Sequence, residues 1–228
     1  MKVNVTKILI LGGSGSIGSA IYNCLSNHHD VYGTYNENKP DNIDDSRFKK
    51  FSINNLTGLD SILYEIKPDL IISSLTGNFD QQLIVHKRIA SFLNETNGRC
   101  VFISTANVFD GSPNDSKTED DTPYPISAYG KFKYSCEKLL QNELKEKCLI
   151  VRLPRTLTHK DIENEVKQIE KNGSVFNNLY TSYNTAKNVV NAIKFCIEEN
   201  KSGVLHLSSN DSMLQDDFVE SLLKAAGM

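Results

Sequence analysis

The sequence has no long hydrophobic run, and its N-terminus has neither an apolar signal core nor a small-residue cleavage site. No segment approaches the length of a membrane span, so we expect a soluble, cytoplasmic protein without membrane contact. A charge excess is also lacking, with 25 Lys+Arg against 28 Asp+Glu. Because the aromatic residues form no regularly spaced stacking platform either, we expect no nucleic-acid partner.

Cysteine and histidine patterns typical of disulfides or metal sites are missing. The five cysteines are odd in number, widely spaced and never arranged as C-x-x-C. Three of them lie in apolar segments, which indicates buried, reduced thiols. The five histidines show no H-x-x-x-H spacing and no paired Cys/His spacing. The sequence therefore predicts no metal site.

The order of apolar segments predicts the fold class. Strands are expected at 8–11, 30–35, 48–53, 69–74, 100–105, 149–153 and 204–208, and helices at 20–25, 56–66, 83–97, 127–145, 161–171, 185–199 and after 213. This alternation predicts an α/β protein, a Rossmann-type doubly wound parallel sheet with a small C-terminal substrate lobe. With no repeat or linker, we expect a single domain over 1–228, the cofactor part covering about 1–155 and the substrate-binding part about 156–228.

A glycine-rich turn follows the first predicted strand. Gly12, Gly15 and Gly18 are spaced as G-x-x-G-x-x-G between an apolar run and a segment with helical spacing. In a strand–turn–helix unit, glycines let the backbone approach a pyrophosphate, which the helix N-terminus then faces. The alternative is a turn that serves only chain reversal. The flanking strand and helix favour the phosphate site.

Four Y-x-x-x-K pairs occur where about one is expected by chance. Tyr129 and Lys133 lie four residues apart at the start of a predicted helix, so both side chains share one face. Only Tyr129 follows a strand-end hydroxyl, Thr105, at the edge where open α/β sheets bind ligands. The other pairs are Tyr35/Lys39 in a polar loop, Tyr134/Lys138 about 140° around the same helix, and Tyr183/Lys187 across a predicted helix start.

Together with the glycine turn, two segments carry a family resemblance: 104–111, which reads STANVFDG, and 119–133, which contains TPYP and YGKFK. They resemble the extended short-chain dehydrogenase/reductases, most closely the dTDP-4-dehydrorhamnose reductase-like branch. The resemblance implies that Thr105 hydrogen-bonds a substrate carbonyl and that Tyr129 donates the proton. It also implies that Lys133 holds the cofactor ribose and lowers the tyrosine pKa. Ser104 is disfavoured, because the family's hydroxyl directly precedes the Ala106–Phe109 segment.

The same resemblance implies a nicotinamide cofactor. The expected cofactor-binding residues are Gly12, Ser14, Gly15, Ser16, Ile17, Gly18, Thr34, Asn55, Ser74, Lys133 and Pro154. The second strand ends in Gly33, Thr34 and Tyr35, without the acid that would bind the ribose 2′-OH of NAD, which favours NADP with NAD as the alternative. Lys39 and Arg47 are candidate partners for its extra phosphate.

The sequence therefore predicts an NAD(P)-dependent reductase acting on a keto group of a nucleotide sugar or similar small ketone. Two alternatives stay open: a non-catalytic NAD(P)-binding regulatory or scaffold subunit, and a sugar-nucleotide epimerase or dehydratase. The expected partner is a small-molecule substrate. A homodimer is left open.

Overall fold

The computed structural model describes residues 6–40, 44, 46–112, 115–157, 180–208 and 212–225. Its strands are β1 (Lys7–Leu11), β2 (Asp30–Tyr35), β3 (Phe48–Lys50), β4 (Leu70–Ser73), β5 (Arg99–Thr105), β6 (Cys148–Leu153), β7 (Arg155–Leu157), β8 (Tyr180–Thr185), β9 (Gly203–His206) and β10 (Ser212–Leu214). Its α-helices are α1 (Ser16–Leu25), α2 (Leu56–Ile66), α3 (Phe79–Thr96), α4 (Ala128–Leu144), α5 (Ala186–Glu198) and α6 (Gln215–Ala225). The predicted helix at 161–171 lies outside the described residues.

Seven strands form one parallel sheet in the order β3-β2-β1-β4-β5-β6-β9. In register, Ile8 of β1 pairs with Val31 on one side and with Leu70 on the other. Strand β1 thus lies inside the sheet, with β2 and β3 on one side of it and β4 on the other. This arrangement confirms the predicted doubly wound parallel sheet.

Alternate residues of the buried strands face opposite sides of the sheet. Leu9 and Leu11 belong to a core cluster that includes residues of α2, α3 and α4. Ile8 and Ile10 belong to a second cluster, which includes residues of α1 and α5. Because both sides are covered by helices, the central strands are apolar throughout rather than alternating.

Two helix ends follow directly from local sequence. Helix α2 ends at Lys67, which has a left-handed φ of 51°, immediately before Pro68. Helix α3 ends at Asn97, with a left-handed φ of 57°, before Gly98. Residues preceding proline disfavour the helical region, and asparagine tolerates the left-handed one. Both ends lie where the sequence predicts them.

The C-terminal part contributes to two sheets. Strands β10, β8 and β7 form a small three-stranded sheet, in which β7 pairs with β8 and β8 with β10. Strand β9 instead joins the main sheet beside β6, and α5 packs on the same face as α1. Strand β9 thus completes the large sheet, and α5 covers one of its faces. None of the described helices has the length and apolar content needed to cross a membrane.

Candidate functional site

A cleft of about 690 Å³ opens at the carboxyl ends of the central strands. Its walls include residues that follow β1, β2, β4, β5 and β6. Strand order reverses between β1 and β4, and open α/β sheets bind ligands at such a switch point. Within the described parts of the chain, no three potential metal ligands are grouped.

Two of the three motif glycines are required by backbone packing. Gly12 has a left-handed φ of +81°, and a Cβ there would lie 2.6 Å from the Ser74 carbonyl oxygen. A Cβ at Gly18 would lie 2.2 Å from the Gly12 carbonyl oxygen. Side chains at these positions would therefore collide with main-chain atoms. Gly12 lines the cleft, whereas Gly18 fixes the contact between helix α1 and the turn.

Gly15 is different, because it borders the cleft. A Cβ there would meet only the Gly12 carbonyl oxygen, at 3.3 Å. Gly15 is also the N-cap of α1 and offers no side-chain cap to the N–H groups of the first turn. Ser14, Ser16 and Ile17 line the same wall. An uncapped helix N-terminus beside open space fits an anionic group such as a pyrophosphate.

Thr34 and Ser74 line the cleft while fixing the glycine turn. Thr34 is buried, and its Oγ1 accepts a hydrogen bond from Gly12 N at 3.0 Å. Its carbonyl accepts from Ser14 N at 3.2 Å. Ser74 Oγ donates to the Gly12 carbonyl at 3.3 Å. Both predicted cofactor residues therefore hold the shape of the turn as well as forming its wall.

Two further predicted cofactor residues, Pro154 and Asn55, differ in their surroundings. Pro154 lines the cleft, at the end of β6. Asn55 caps helix α2, its side chain accepting from Gly58 N at 2.9 Å, and it is the neighbouring Asn54 that lies in the cleft wall. Arg47, a candidate phosphate partner, forms an ion pair with Asp30 instead.

Thr105, Tyr129 and Lys133 all lie on the wall of this cleft. Helix α4 begins just before Tyr129, where Ser127 Oγ accepts from Gly130 N at 3.0 Å. Tyr129 and Lys133 therefore share a face one turn apart. A side-chain hydrogen bond joins Tyr129 to Thr105 at the end of β5. The buried Lys133 Nζ donates to the Ile103 carbonyl at 2.8 Å.

The electrostatics of this group differ from the expectation. Burial raises the pKa of Tyr129, and the hydrogen bond with Thr105 offsets this only in part. Burial lowers the pKa of Lys133 to about 8. The expectation that Lys133 lowers the pKa of Tyr129 is not met, because its ammonium is directed to the Ile103 carbonyl and lies 5.9 Å from the Tyr129 ring centroid. Tyr129 is thus a neutral phenol at neutral pH, the form that can donate a proton.

The other Y-x-x-x-K pairs are arranged differently. Tyr183 lies in strand β8 and stacks on Phe218 at a centroid distance of 3.5 Å, whereas Lys187 lies in α5. Lys138 Nζ lies 4.7 Å from the centroid of the Tyr134 ring, and neither residue is in the cleft wall. Tyr35 does line the cleft, at the end of β2, but Lys39 follows in a loop.

Residues 79–228 match the protein family described as RmlD substrate binding domain. The chain belongs to this family. The match includes Thr105, Tyr129 and Lys133 and begins after the glycine turn.

Curated relatives of this RmlD-family chain carry another name. Methionine adenosyltransferase 2 subunit beta from Bos taurus is 27% identical over 170 residues, and its Mus musculus counterpart is 26% identical. These alignments cover 67% of this chain and 48% of each relative. The chain thus spans about half the length of the curated relatives it matches.

Solved structures share the fold. A hypothetical dTDP-4-dehydrorhamnose reductase from Sulfolobus tokodaii has a TM-score of 0.82 at 24% identity, covering 96% of this chain and 82% of that one. The Bacillus anthracis dTDP-4-dehydrorhamnose reductase in complex with NADP gives 0.79 at 21%, covering 100% and 83%. The dTDP-glucose 4,6-dehydratase of the same organism, in complex with NAD, gives 0.84 at 16%, covering 98% and 81%.

A buried polar network beside the cleft was not anticipated from the sequence. In this RmlD-family chain, Glu137 of α4 is fully buried and accepts hydrogen bonds from Ser104 Oγ and from Arg152, whose Nη2 lies 2.8 Å from Oε2. The sequence feature that could have indicated this network is a charged residue inside an otherwise apolar strand, since Arg152 stands between Val151 and Leu153. The Ser104 hydroxyl is thereby directed to Glu137.

Proposed function

We propose that the chain is an NAD(P)-dependent oxidoreductase that reduces a keto group of a nucleotide-linked sugar or a similar small ketone. The observation that carries this proposal is the shared cleft: the glycine turn forms one wall, and Thr105, Tyr129 and Lys133 form another. A dinucleotide site without a proton donor, or a proton donor without such a site, would not support it. Membership of the RmlD family and the fold likeness to dTDP-sugar enzymes support it further.

The cleft residues fit a nicotinamide dinucleotide. The pyrophosphate would be held by Gly12, Ser14, Gly15 and the N-terminus of α1. Gly15 leaves open space at that wall, which a side chain there would occupy. Thr34 and Pro154 line the same cleft and would contact other parts of the cofactor. When bound, the cofactor supplies the hydride. NADP is the preferred cofactor in this proposal, since the end of β2 carries no acid.

The chain's own residues supply hydrogen bonds and the proton. In this proposal the Thr105 hydroxyl, which donates to Asn107 Oδ1 at 3.2 Å, turns to donate to the substrate carbonyl oxygen. Tyr129 gives its phenolic proton to the same oxygen as negative charge develops there. The carbonyl becomes an alcohol and Tyr129 is left as a phenolate. Tyr129 is 41% exposed, so solvent can return the proton.

The test is NADPH-dependent reduction of a panel of keto-sugar nucleotides. Tyr129→Phe keeps the ring and removes the hydroxyl, so turnover should fall by roughly 10²–10⁴-fold, as for loss of a general acid. Tyr134→Phe is the matched control, because it removes the same hydroxyl from the same helix outside the cleft wall. Full activity in Tyr129→Phe would contradict the proposed chemistry.

A second candidate is a non-catalytic NAD(P)-binding subunit. The observation that favours it is the sequence likeness to proteins named as a subunit of methionine adenosyltransferase. Under this reading, the wild-type protein binds cofactor but reduces no member of the panel, and it changes the activity of a catalytic partner added to it. An epimerase or dehydratase would instead convert a nucleotide sugar without net consumption of NADPH.

A further inference from the structure

Three polar side chains stand side by side across the carboxyl ends of neighbouring strands. Ser104 of β5 pairs in register with Arg152 of β6, and Arg152 pairs with His206 of β9. Glu137 binds the first two of these residues. The third, His206, lies at the edge strand of the sheet, where it meets the loop that joins β5 to α4.

The contact between Arg152 and His206 defines the protonation state of the imidazole. Arg152 Nη1 lies 3.1 Å from His206 Nε2. A guanidinium has only donors, so Nε2 must be the acceptor and the ring must be neutral, with its proton on Nδ1. Protonating Nε2 would remove the acceptor and place two cations in contact.

His206 also holds the loop over residues 106–127 at two points. Its backbone N–H donates to Glu119 Oε1 at 2.8 Å, and its ring is hydrogen-bonded to the backbone of Lys117. The Phe109 ring completes the contact, with its centroid 5.7 Å from that of His206 and 5.1 Å from Arg152 Cζ. We call this group of contacts, made by Arg152 and His206 to Phe109, Lys117 and Glu119, the loop clasp.

The loop held by the clasp has the predicted catalytic residues at its two ends. At one end, Thr105 Oγ1 accepts from Asn107 N at 3.2 Å and so caps the 3-10 helix that ends with Phe109. At the other end, Asp110 accepts from Ser127 N at 3.3 Å, and Ser127 caps helix α4, which carries Tyr129. Contacts therefore run without interruption from His206 to both partners of the Thr105–Tyr129 hydrogen bond.

We propose that neutral His206 is a positioning residue, which acts through the loop clasp to keep Thr105 and Tyr129 in hydrogen-bonding alignment. The proposal deepens the oxidoreductase function above and rests on it for its catalytic consequence. His206 touches no residue that we assign to the reaction, so its effect is transmitted by the loop. Loss of the clasp should lower kcat more than it changes the KM for cofactor, since the glycine turn lies on the far side of the cleft.

Protonation of His206 should break its contact with Arg152, whereas the bond from its backbone N–H to Glu119 stays in place. The charged groups that face it are Arg152 from β6, Glu137 from α4, and Glu119 and Asp121 from the loop. Burial lowers the pKa of His206 most strongly, and Arg152 lowers it further, whereas Glu119, the hydrogen bond with the Lys117 backbone and Glu137 raise it. The net direction is downward, so the ring stays neutral at neutral pH. The contact between Arg152 and His206 is lost as the pH falls through a value below the ordinary histidine pKa of about 6.5, which weakens the clasp.

Hydrogen exchange of the apoprotein tests the clasp without any substrate. Exchange of peptides covering 115–127 is compared at about pH 7.5 and about pH 5.5, corrected for the intrinsic rate, in wild type and three variants. Wild type should lose protection at the lower pH, by less than about tenfold because the backbone bond to Glu119 persists. His206→Ala should be less protected than wild type at the higher pH and should show no further loss at the lower pH. His206→Gln, whose amide can accept from Arg152 and donate to Lys117 without titrating, should be protected at both.

The exposed His28 supplies the matched control, because His28→Ala should behave as wild type. Tyrosine ¹³Cζ NMR gives a second readout, in which the Tyr129 resonance is identified by its absence in Tyr129→Phe. It should shift in His206→Ala and not in His206→Gln. Unchanged loop protection together with an unmoved Tyr129 resonance in His206→Ala would overturn the proposal, whether or not the protein is active. In an active enzyme, an unchanged kcat in His206→Ala would overturn it too, whereas absence of all reduction by wild type counts only against the oxidoreductase function.

Discussion

Gly15→Val separates cofactor binding from folding. Gly15 has φ −74° and ψ 168°, a conformation open to any residue, and its Cβ would contact only one atom. Valine is a poorer N-cap than glycine by about 1 kcal/mol. Removing a glycine from the unfolded chain offsets about 0.4–1 kcal/mol of that. The net change in the free energy of unfolding should therefore stay within about 1 kcal/mol, a Tm shift of about 2–4 °C for a chain of this size.

The loss of affinity should be much larger. The valine side chain would fill the space beside the first turn of α1 and keep a pyrophosphate from its N–H groups. Losing two hydrogen bonds to a charged group, each about 1.5–3 kcal/mol, predicts at least a 100-fold rise in Kd. Isothermal titration calorimetry with NADPH measures this, and thermal unfolding monitors the fold.

Gly18→Val is the contrasting variant. Its Cβ would lie 2.2 Å from the Gly12 carbonyl oxygen, so both the fold and the binding should fail. A folded Gly15→Val protein with unchanged affinity for NADPH would refute the assignment of the turn to the pyrophosphate. It would leave the parallel sheet in place but remove the basis for a dinucleotide site.

Three further outcomes follow from the site. Affinity for NADPH should fall as the pH rises through about 8, where the Lys133 ammonium loses its proton. Lys133→Met should abolish this pH dependence. A wild-type affinity that does not change with pH would contradict the prediction. NADPH should bind at least tenfold more tightly than NADH, about 1.4 kcal/mol, because the last residues of β2, Thr34 and Tyr35, include no acid. Tighter binding of NADH in a titration would show that inference to be wrong. Arg152→Leu should lower the free energy of unfolding, measured in urea, by about 3–5 kcal/mol, because the buried Glu137 loses its ion-pair partner. Removing Lys49 from its surface ion pair should lower it by less than about 1 kcal/mol.

Much of the fold was predictable because it depends on local patterns. Apolar runs of the right length defined the central strands, and Pro68 marked the end of α2. The four-residue spacing of Tyr129 and Lys133 was enough to place them on one helix face. The position of Thr105 opposite them followed from the rule that parallel strands end at one edge of the sheet. These inferences needed no knowledge of packing.

What could not be predicted depends on contacts between distant segments. Strand β7 is only three residues long, and its pairing of Arg155 with Tyr183 leaves no periodic signal in the sequence. The direction of the Tyr129 pKa shift depends on its burial and on which acceptor the Lys133 ammonium finds. Asn55 illustrates the same limit, since a polar residue after a strand can face a ligand or cap the next helix, and here it caps the helix.

Strand β1 pairs on one side with β2 and on the other with β4. Next to the pairing with β4, the Lys7 N–H donates to the Asp69 carboxylate, 62 residues further along the chain. As the chain is synthesised from its N-terminus, the glycine turn emerges long before the wall that contains Thr105 exists. A ligand of the cleft can therefore bind only chains that have completed this long-range pairing. Such a ligand would stabilise folded molecules against unfolding and proteolysis. Its concentration would therefore help to determine how much protein accumulates.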